Sequence, residues 1–363
     1  MYDFIPTPAV VVELDQVEAN LKKMEEEAGR YGINIRPHIK PHKSSYFAWQ
    51  QLAEGAKGIT CARLREAEVM ADYGVKDILI AFPLIGKDKM ERLARLLQRA
   101  QVLTVINSVY GAEQLSGVGI SGGVPVEVLI EIDGGLHRGG VAPYEEALAF
   151  AEKVRELSGI HICGLMYYNG LIYDESTVEG FRQYAKKEHD ELTGTAALLK
   201  EHGYCMDILS GGNSYSSRFC EELEGITEIR CGNYIFNDCM TLATGFATEE
   251  ECALRAVSTL VCKMDERHGI IDAGSKTLTT DGCGHGRTGY GYVVGRPDLK
   301  ITKLNEEHGF LESEEGLNLE IGDKIAIIPN HACALPNLTD QLYGIRGNRL
   351  ERMIPVEARS VHF

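Results

Sequence analysis

Between residues 33 and 231 the chain alternates short apolar stretches with longer amphipathic ones, and this rhythm limits the folds open to it. The apolar stretches are Ile33–Lys40, Gly58–Ala62, Asp77–Phe82, Val102–Ile106, Val126–Asp133, Ile160–Tyr168, Met206–Ser210 and Thr227–Cys231. They are short and apolar, as strands covered on both faces are. The segments between them, Ser44–Ala53, Leu64–Tyr73, Lys87–Arg99, Val109–Leu115, Tyr144–Leu157, Ser176–His202 and Ser214–Glu222, read as helices. Strand–helix alternation gives a parallel sheet, and eight repeats match a (β/α)8, or TIM, barrel. An open doubly wound sheet is the alternative. It usually has fewer strands and a glycine-rich first turn, and no G-x-G-x-x-G follows an early strand here.

The rhythm stops near Gly245. Val257–Asp265, Gly269–Ala273, Gly291–Val294, Ile301–Leu304 and Lys324–Ile328 read as strands separated by polar turns, with little helix after Cys252. The predicted class is therefore α/β: an N-terminal barrel over residues 10–245 and a C-terminal all-β domain over 246–363. Thr7–Leu14 reads as one more strand, followed by a helix that Asp15 can cap. That strand, with residues 1–9, can join the β domain.

Composition narrows the function. With 44% hydrophobic and 25% charged residues the chain should bury an ordinary core. A net charge of -16 argues against a nucleic-acid partner. No apolar stretch reaches membrane-spanning length, and Met1–Pro6 has no basic region followed by an apolar run, so no signal peptide is expected. The ten cysteines include no C-x-x-C pair and are expected as reduced thiols of a cytoplasmic protein.

In a barrel the chemistry sits at the C-terminal ends of the strands. The first strand ends in Arg36-Pro37-His38-Ile39-Lys40, whose three basic residues alternate and so share one face. They suit an anionic ligand, or simply form a basic surface loop. A lysine beside other cations can act as an amine nucleophile. The seventh and eighth strands end in Ser210-Gly211-Gly212-Asn213-Ser214 and Arg230-Cys231-Gly232-Asn233-Tyr234. Such turns expose backbone N–H groups where barrels often bind phosphate, although Gly-Gly also serves as a plain tight turn. An amine at one end and a phosphate cradle at the other point to pyridoxal phosphate on Lys40. Arg138, after the fifth strand, could reach that cofactor's phenolic oxygen or a substrate carboxylate, or lie in solvent. Tyr168 could face the cofactor ring or be a core aromatic. In the β domain His331 and Cys333 stand two apart after a strand and can point the same way. Imidazole and thiolate suit Zn²⁺, with water and substrate completing the site. Cys283-Gly284-His285-Gly286-Arg287 is a weaker rival.

Taken together these motifs resemble those of the D-threonine aldolase and D-serine dehydratase family, pyridoxal-phosphate enzymes of the alanine-racemase-like fold. Asp272-Ala273-Gly274-Ser275-Lys276 and Glu307-His308-Gly309 add to the match, which runs in order from about residue 6 to the end. The resemblance implies Lys40 as the cofactor lysine. It implies His331 and Cys333 as ligands of a divalent metal, Zn²⁺ first and Mn²⁺ second. It implies phosphate contacts around Gly212, Asn213, Ser214, Gly232 and Asn233, and cofactor contacts from Arg138 and Tyr168. It also implies a homodimer acting on a small D-amino acid. The implied reaction is metal-assisted lysis of a D-3-hydroxy amino acid, D-threonine aldolase first, because Tyr168-Asn169-Gly170 looks like the aldolase pattern. D-serine dehydratase is the alternative. Leu171 stands where aldolases often carry histidine, Cys333 matches dehydratases, and Cys231 replaces a usual proline. An amino-acid racemase, which needs a second base and no metal, and a non-catalytic pyridoxal-phosphate carrier, which would resemble the barrel alone, are the remaining readings.

Overall fold

The computed structural model describes residues 2–360. Met1 and residues 361–363, the ends of the sequence-derived ranges, lie outside the described residues. The chain divides into two compact units, one of residues 23–40 and 47–232 and one of residues 2–22, 41–46 and 233–360.

Strands are numbered in chain order, with β1 (Ala9–Glu13) in the second unit. The first unit contains β2 (Asn34–Ile35), β3 (Ile59–Cys61), β4 (Asp77–Ile80), β5 (Gln101–Ile106), β6 (Val126–Asp133), β7 (Ile160–Tyr168), β8 (Ile208–Gly211) and β9 (Glu228–Ile229). They form one parallel sheet in the order β2-β9-β8-β7-β6-β5-β4-β3. A bridge between His38 and Thr60 joins its two ends, so the sheet curls into a barrel. Helices follow the strands as the alternation requires. An apolar layer of Leu79, Leu103, Val105, Leu129, Cys163 and Met166 packs within this unit.

Four local readings change. Asp15 does not cap the first helix but lies in the first turn of Leu14–Arg30. The first strand is regular only at Asn34–Ile35. Pro37 has no N–H to donate to a ladder, and pairing continues only piecewise, as Arg36 N to Ile229 O, His38 N to Cys231 O and Ile39 N to Thr60 O. The helix read as Val109–Leu115 runs on to Gly122. Its glycines look like a stop, yet Ser116, Val118 and Gly119 are buried and packing carries the helix through them. The helix read over Ser214–Glu222 is two short 3₁₀ turns, Ser216–Arg218 and Cys220–Leu223.

In the second unit β1 pairs antiparallel with β10 (Leu254–Lys263) and parallel with β16 (Gln341–Arg346). Its run of valines is buried because it is an interior strand. From β10 the sheet continues to β11 (His268–Ile271), β14 (Gly309–Glu312) and β13 (Lys300–Leu304). Beside β10 also lies β15 (Lys324–Ile328), itself paired with β12 (Tyr292–Val293), and β16 pairs with β17 (Arg349–Pro355). No described helix is long and apolar enough to cross a membrane.

Candidate functional site

At the strand ends of the first unit lies a cavity of about 560 Å³. Lys40, Arg138, Tyr168, Gly212, Asn213, Ser214 and Gly232 all line it, as do His38, Asn107, Glu131 and Arg230. With Ala62 and Ala81 also in the wall, residues from the ends of all eight barrel strands are gathered at one mouth, as strand-end geometry dictates.

Lys40 ends the first strand and is half-buried. Its backbone N–H donates to His38 Nδ1 at 3.2 Å, which leaves the neutral imidazole its proton on Nε2. Arg36 shares their face but belongs to the barrel floor, not to the ligand side. It is buried, its Nε donates to both oxygens of Glu228 at 3.1 and 2.9 Å, and its guanidinium also pairs with Asp77. The expected anion-binding trio is therefore a pair. A buried guanidinium is retained only where carboxylates neutralise it, and here they do so fully.

The loop after β6 is folded back by its own hydrogen bonds. Asp133 Oδ1 accepts from Gly135 N and His137 N at 2.9 and 3.0 Å, while Val141 N returns to Glu131 O at 2.9 Å. Gly140 makes the return with φ 99°, and a Cβ there would stand 2.6 Å from Asp133 N. The loop lays the guanidinium of the exposed Arg138 over the Tyr168 ring, 4.1 Å from its centroid, so the ring gives this arginine a fixed partner. Below it, Asn107 Nδ2 donates to Glu131 Oε2 at 2.8 Å. Burial pushes the Glu131 pKa up, against the lowering effect of that hydrogen bond and the Arg138 and Arg230 charges.

The turn after β8 uses most of its own donors. Gly212, at φ 74°, gives its N–H to Glu188, and a Cβ would strike Ile229 at 2.5 Å. Asn213 N donates to Ser216 Oγ, and Asn213 Oδ1 accepts from Tyr215 N and Ser216 N. Asn213 Nδ2 donates to Asn169 O at 3.0 Å. The Asn213 side chain therefore shapes the turn. Among the described residues, neither Ser214 nor Gly232 gives its N–H to another protein group. Both residues line the cavity, where such N–H groups could cradle an anion.

Arg230 is the residue the sequence reading passed over. It is buried, with Nη1 donating to Ser210 Oγ at 2.9 Å and Gly211 O at 3.2 Å, and Nη2 to Tyr167 O at 2.7 Å. Burial lowers its pKa while Glu188, Glu228 and Glu131 support its charge. Its place directly before the Cys-Gly-Asn turn was the available clue. An amine, two further cations and free N–H groups against one carboxylate fit pyridoxal phosphate, an anionic carbonyl cofactor.

In the second unit His331 and Cys333 come together, but not by strand alternation. They lie in the turn after β15, closed by Ala334 N to His331 O at 3.4 Å. His331 Nδ1 donates to Asp238 Oδ2 at 3.2 Å. The Cys333 sulfur beside it, with Asp238, pushes the His331 pKa up to about 11 despite burial. Asn233, counted in this unit, donates its side-chain amide to Asp238 at 2.8 Å. Among the described residues no cluster of three or more His, Cys, Asp or Glu side chains could hold a metal. The rival is not assembled: Cys283 is buried in an apolar cluster with Cys239, Cys252 and Ile328.

Comparison with known proteins follows the same two-part division. The family model described as alanine racemase, N-terminal domain, matches residues 12–239, and that described as putative serine dehydratase domain matches residues 253–345. The chain is 31% identical to the D-threonine aldolase of Arthrobacter sp, over 98% of this chain and 93% of that one. It is 30% identical to the D-threo-3-hydroxyaspartate dehydratase of Delftia sp. (strain HT23), over 91% of each. The crystal structure of D-threonine aldolase from Filomicrobium marinum superposes with a TM-score of 0.91 at 29% identity, covering 99% of this chain and 97% of that one.

Proposed function

The chain belongs to the alanine racemase, N-terminal domain, family and is a pyridoxal-phosphate-dependent lyase; from that premise we propose that it cleaves a D-3-hydroxy amino acid between Cα and Cβ, giving glycine and an aldehyde, as a D-threonine aldolase does. The observation that carries this reading is the convergence of Lys40, Arg138 on Tyr168 and the open N–H groups of Ser214 and Gly232 at one cavity, in a chain matched end to end by an aldolase.

When bound, the cofactor withdraws electrons from the substrate's Cα. Lys40 would hold the cofactor through its amine, and that amine would be placed to move a proton at Cα. Ser214 and Gly232 would hold the phosphate by their N–H groups, with Gly212 and Asn213 shaping the turn. Arg138, pressed on Tyr168, presents a fixed guanidinium to an anionic oxygen. Asn233 acts at one remove, through Asp238. His331 and Cys333 would hold Zn²⁺, or Mn²⁺ as the second choice, which would polarise the substrate's β-hydroxyl. The barrel unit is thus proposed to carry the cofactor and the β unit the metal ligands.

D-serine dehydratase is the second reading, favoured by one observation. Leu171 reaches toward the Gly135 backbone, 3.1 Å from where a Cβ would lie, and cannot take a proton from a hydroxyl. A cytoplasmic homodimer completes the proposal, supported on the first point by ten unpaired thiols and testable on the second by sedimentation. The activity test is incubation with D-threonine, D-serine and their L-forms, assaying glycine, aldehyde and 2-oxo acid separately. Glycine and aldehyde from the D-forms support the aldolase; 2-oxo acid alone supports the dehydratase.

A further inference from the structure

Asp238 is fully buried and stands immediately before the helix Cys239–Ala243. Its Oδ1 accepts from Met240 N at 3.0 Å and Thr241 N at 3.3 Å, closing a capping box with Thr241. A helix cap needs no more than that. The second oxygen does something else. Oδ2 accepts from Asn233 Nδ2 at 2.8 Å, Ala332 N at 2.9 Å and His331 Nδ1 at 3.2 Å. None of these three donors belongs to the helix.

The consequences follow from hydrogen-bond roles. An acceptor at Nδ1 requires a proton to sit there, so in the neutral imidazole that a metal binds the lone pair is on Nε2. The bond to Ala332 N holds the one residue between His331 and Cys333. A single carboxylate oxygen therefore sets both the tilt of the imidazole and its spacing from the thiol. Asn233 holds that oxygen from the other side. With five donors on its two oxygens, Asp238 has no lone pair directed at a metal.

Resting on the two-donor metal reading above, we propose that Asp238 is the positioning residue of the metal pair: it directs His331 Nε2 and Cys333 at a divalent cation without ligating it. The helix cap and the metal site then share one carboxylate, so the start of the Cys239–Ala243 helix and the donor turn are tied together.

The test measures metal affinity of the cofactor-loaded protein by competition with a chromophoric zinc chelator. Asp238→Asn keeps the shape but turns an acceptor into a donor toward Ala332 N–H and His331. Zinc affinity should fall about 10- to 100-fold, with the visible absorption of the bound cofactor unchanged. Thr241→Ala removes the return contact of the capping box alone and should leave zinc affinity at the wild-type value. A wild-type zinc affinity in Asp238→Asn would overturn the inference. So would an equal loss in Thr241→Ala, which would make the effect one of helix stability. A readout that needs no variant is ¹⁵N-histidine spectroscopy of the zinc-loaded wild type. It should show His331 protonated at Nδ1 and metallated at Nε2; metallation at Nδ1 would contradict the positioning role. Failure of the wild type to bind zinc at His331 and Cys333 would instead overturn the metal reading itself.

Discussion

The barrel mouth and the His331–Cys333 turn reach an ordered site by different routes. At the mouth, residues from the ends of all eight barrel strands converge because parallel strands all end on one side, and each brings its own loop chemistry. Removing one loop leaves the others in place. In the turn, two donors lie two residues apart in sequence, and their order depends on one buried carboxylate supplied from residue 238. Topology makes the first site robust and divisible. A single hydrogen-bonded carboxylate makes the second compact and sensitive.

That contrast can be broken in several ways. The largest effect is expected from Lys40→Ala, which should abolish turnover and the visible absorption of the lysine-bound cofactor while the protein still folds. Borohydride reduction of the wild type followed by mass spectrometry should tag Lys40; a tag on Lys43 or Lys276 would refute the assignment. Next comes metal removal. A chelator should silence lyase turnover yet leave cofactor absorption and melting behaviour intact, because two ligands in a turn hold no fold together. Cys333→Asp should then shift the preferred ion from Zn²⁺ toward Mn²⁺, as carboxylate replaces thiolate. Loss of the fold on chelation would make the metal structural.

Arg36→Met separates the barrel floor from its mouth. It strands Glu228 without its partner in the interior, and breaking such a buried pair should cost about 3–5 kcal/mol in denaturant unfolding. Cofactor affinity should change far less than stability; the reverse pattern would return Arg36 to the ligand side. Ser214→Asp puts a carboxylate beside the phosphate cradle and should weaken cofactor binding roughly a hundredfold, as about 3 kcal/mol of repulsion implies. Unchanged affinity in a cofactor titration would move the phosphate elsewhere. The smallest effect belongs to Tyr168→Phe, which keeps a ring under Arg138 and should cost under about 1 kcal/mol of cofactor affinity, whereas Tyr168→Ala loses the stack. Equal losses from both would assign the role to the phenolic oxygen.

The eight-fold rhythm of strand and helix was legible because strands buried on both faces are plain apolar runs, and the strand-end rule then pointed to seven of the residues that line the cavity. What stayed hidden had physical causes. β16 and β17 carry exposed polar residues, with Gln341 and Arg352 among them, and lack the apolar run that marks a barrel strand. β1 could be assigned to its sheet only by its partners, because a valine run fits any interior position. Arg230 drew no reading of its own and Arg36 read as a ligand-side or surface cation; their buried acceptors lie on other strands, invisible from local spacing. Asp238 drew no reading either, and nothing in its neighbourhood in sequence announces that one of its oxygens holds a histidine 93 residues away.

The fate of the Cα hydrogen tests the proposed bond cleavage most directly. D-threonine deuterated at Cα, turned over by the metal- and cofactor-loaded enzyme, should give acetaldehyde and glycine that keeps its deuterium, since retro-aldol cleavage breaks Cα–Cβ and leaves Cα–H intact. A 2-oxo acid with ammonia and complete loss of the label, or recovered threonine with the label washed out, would contradict the aldolase reading.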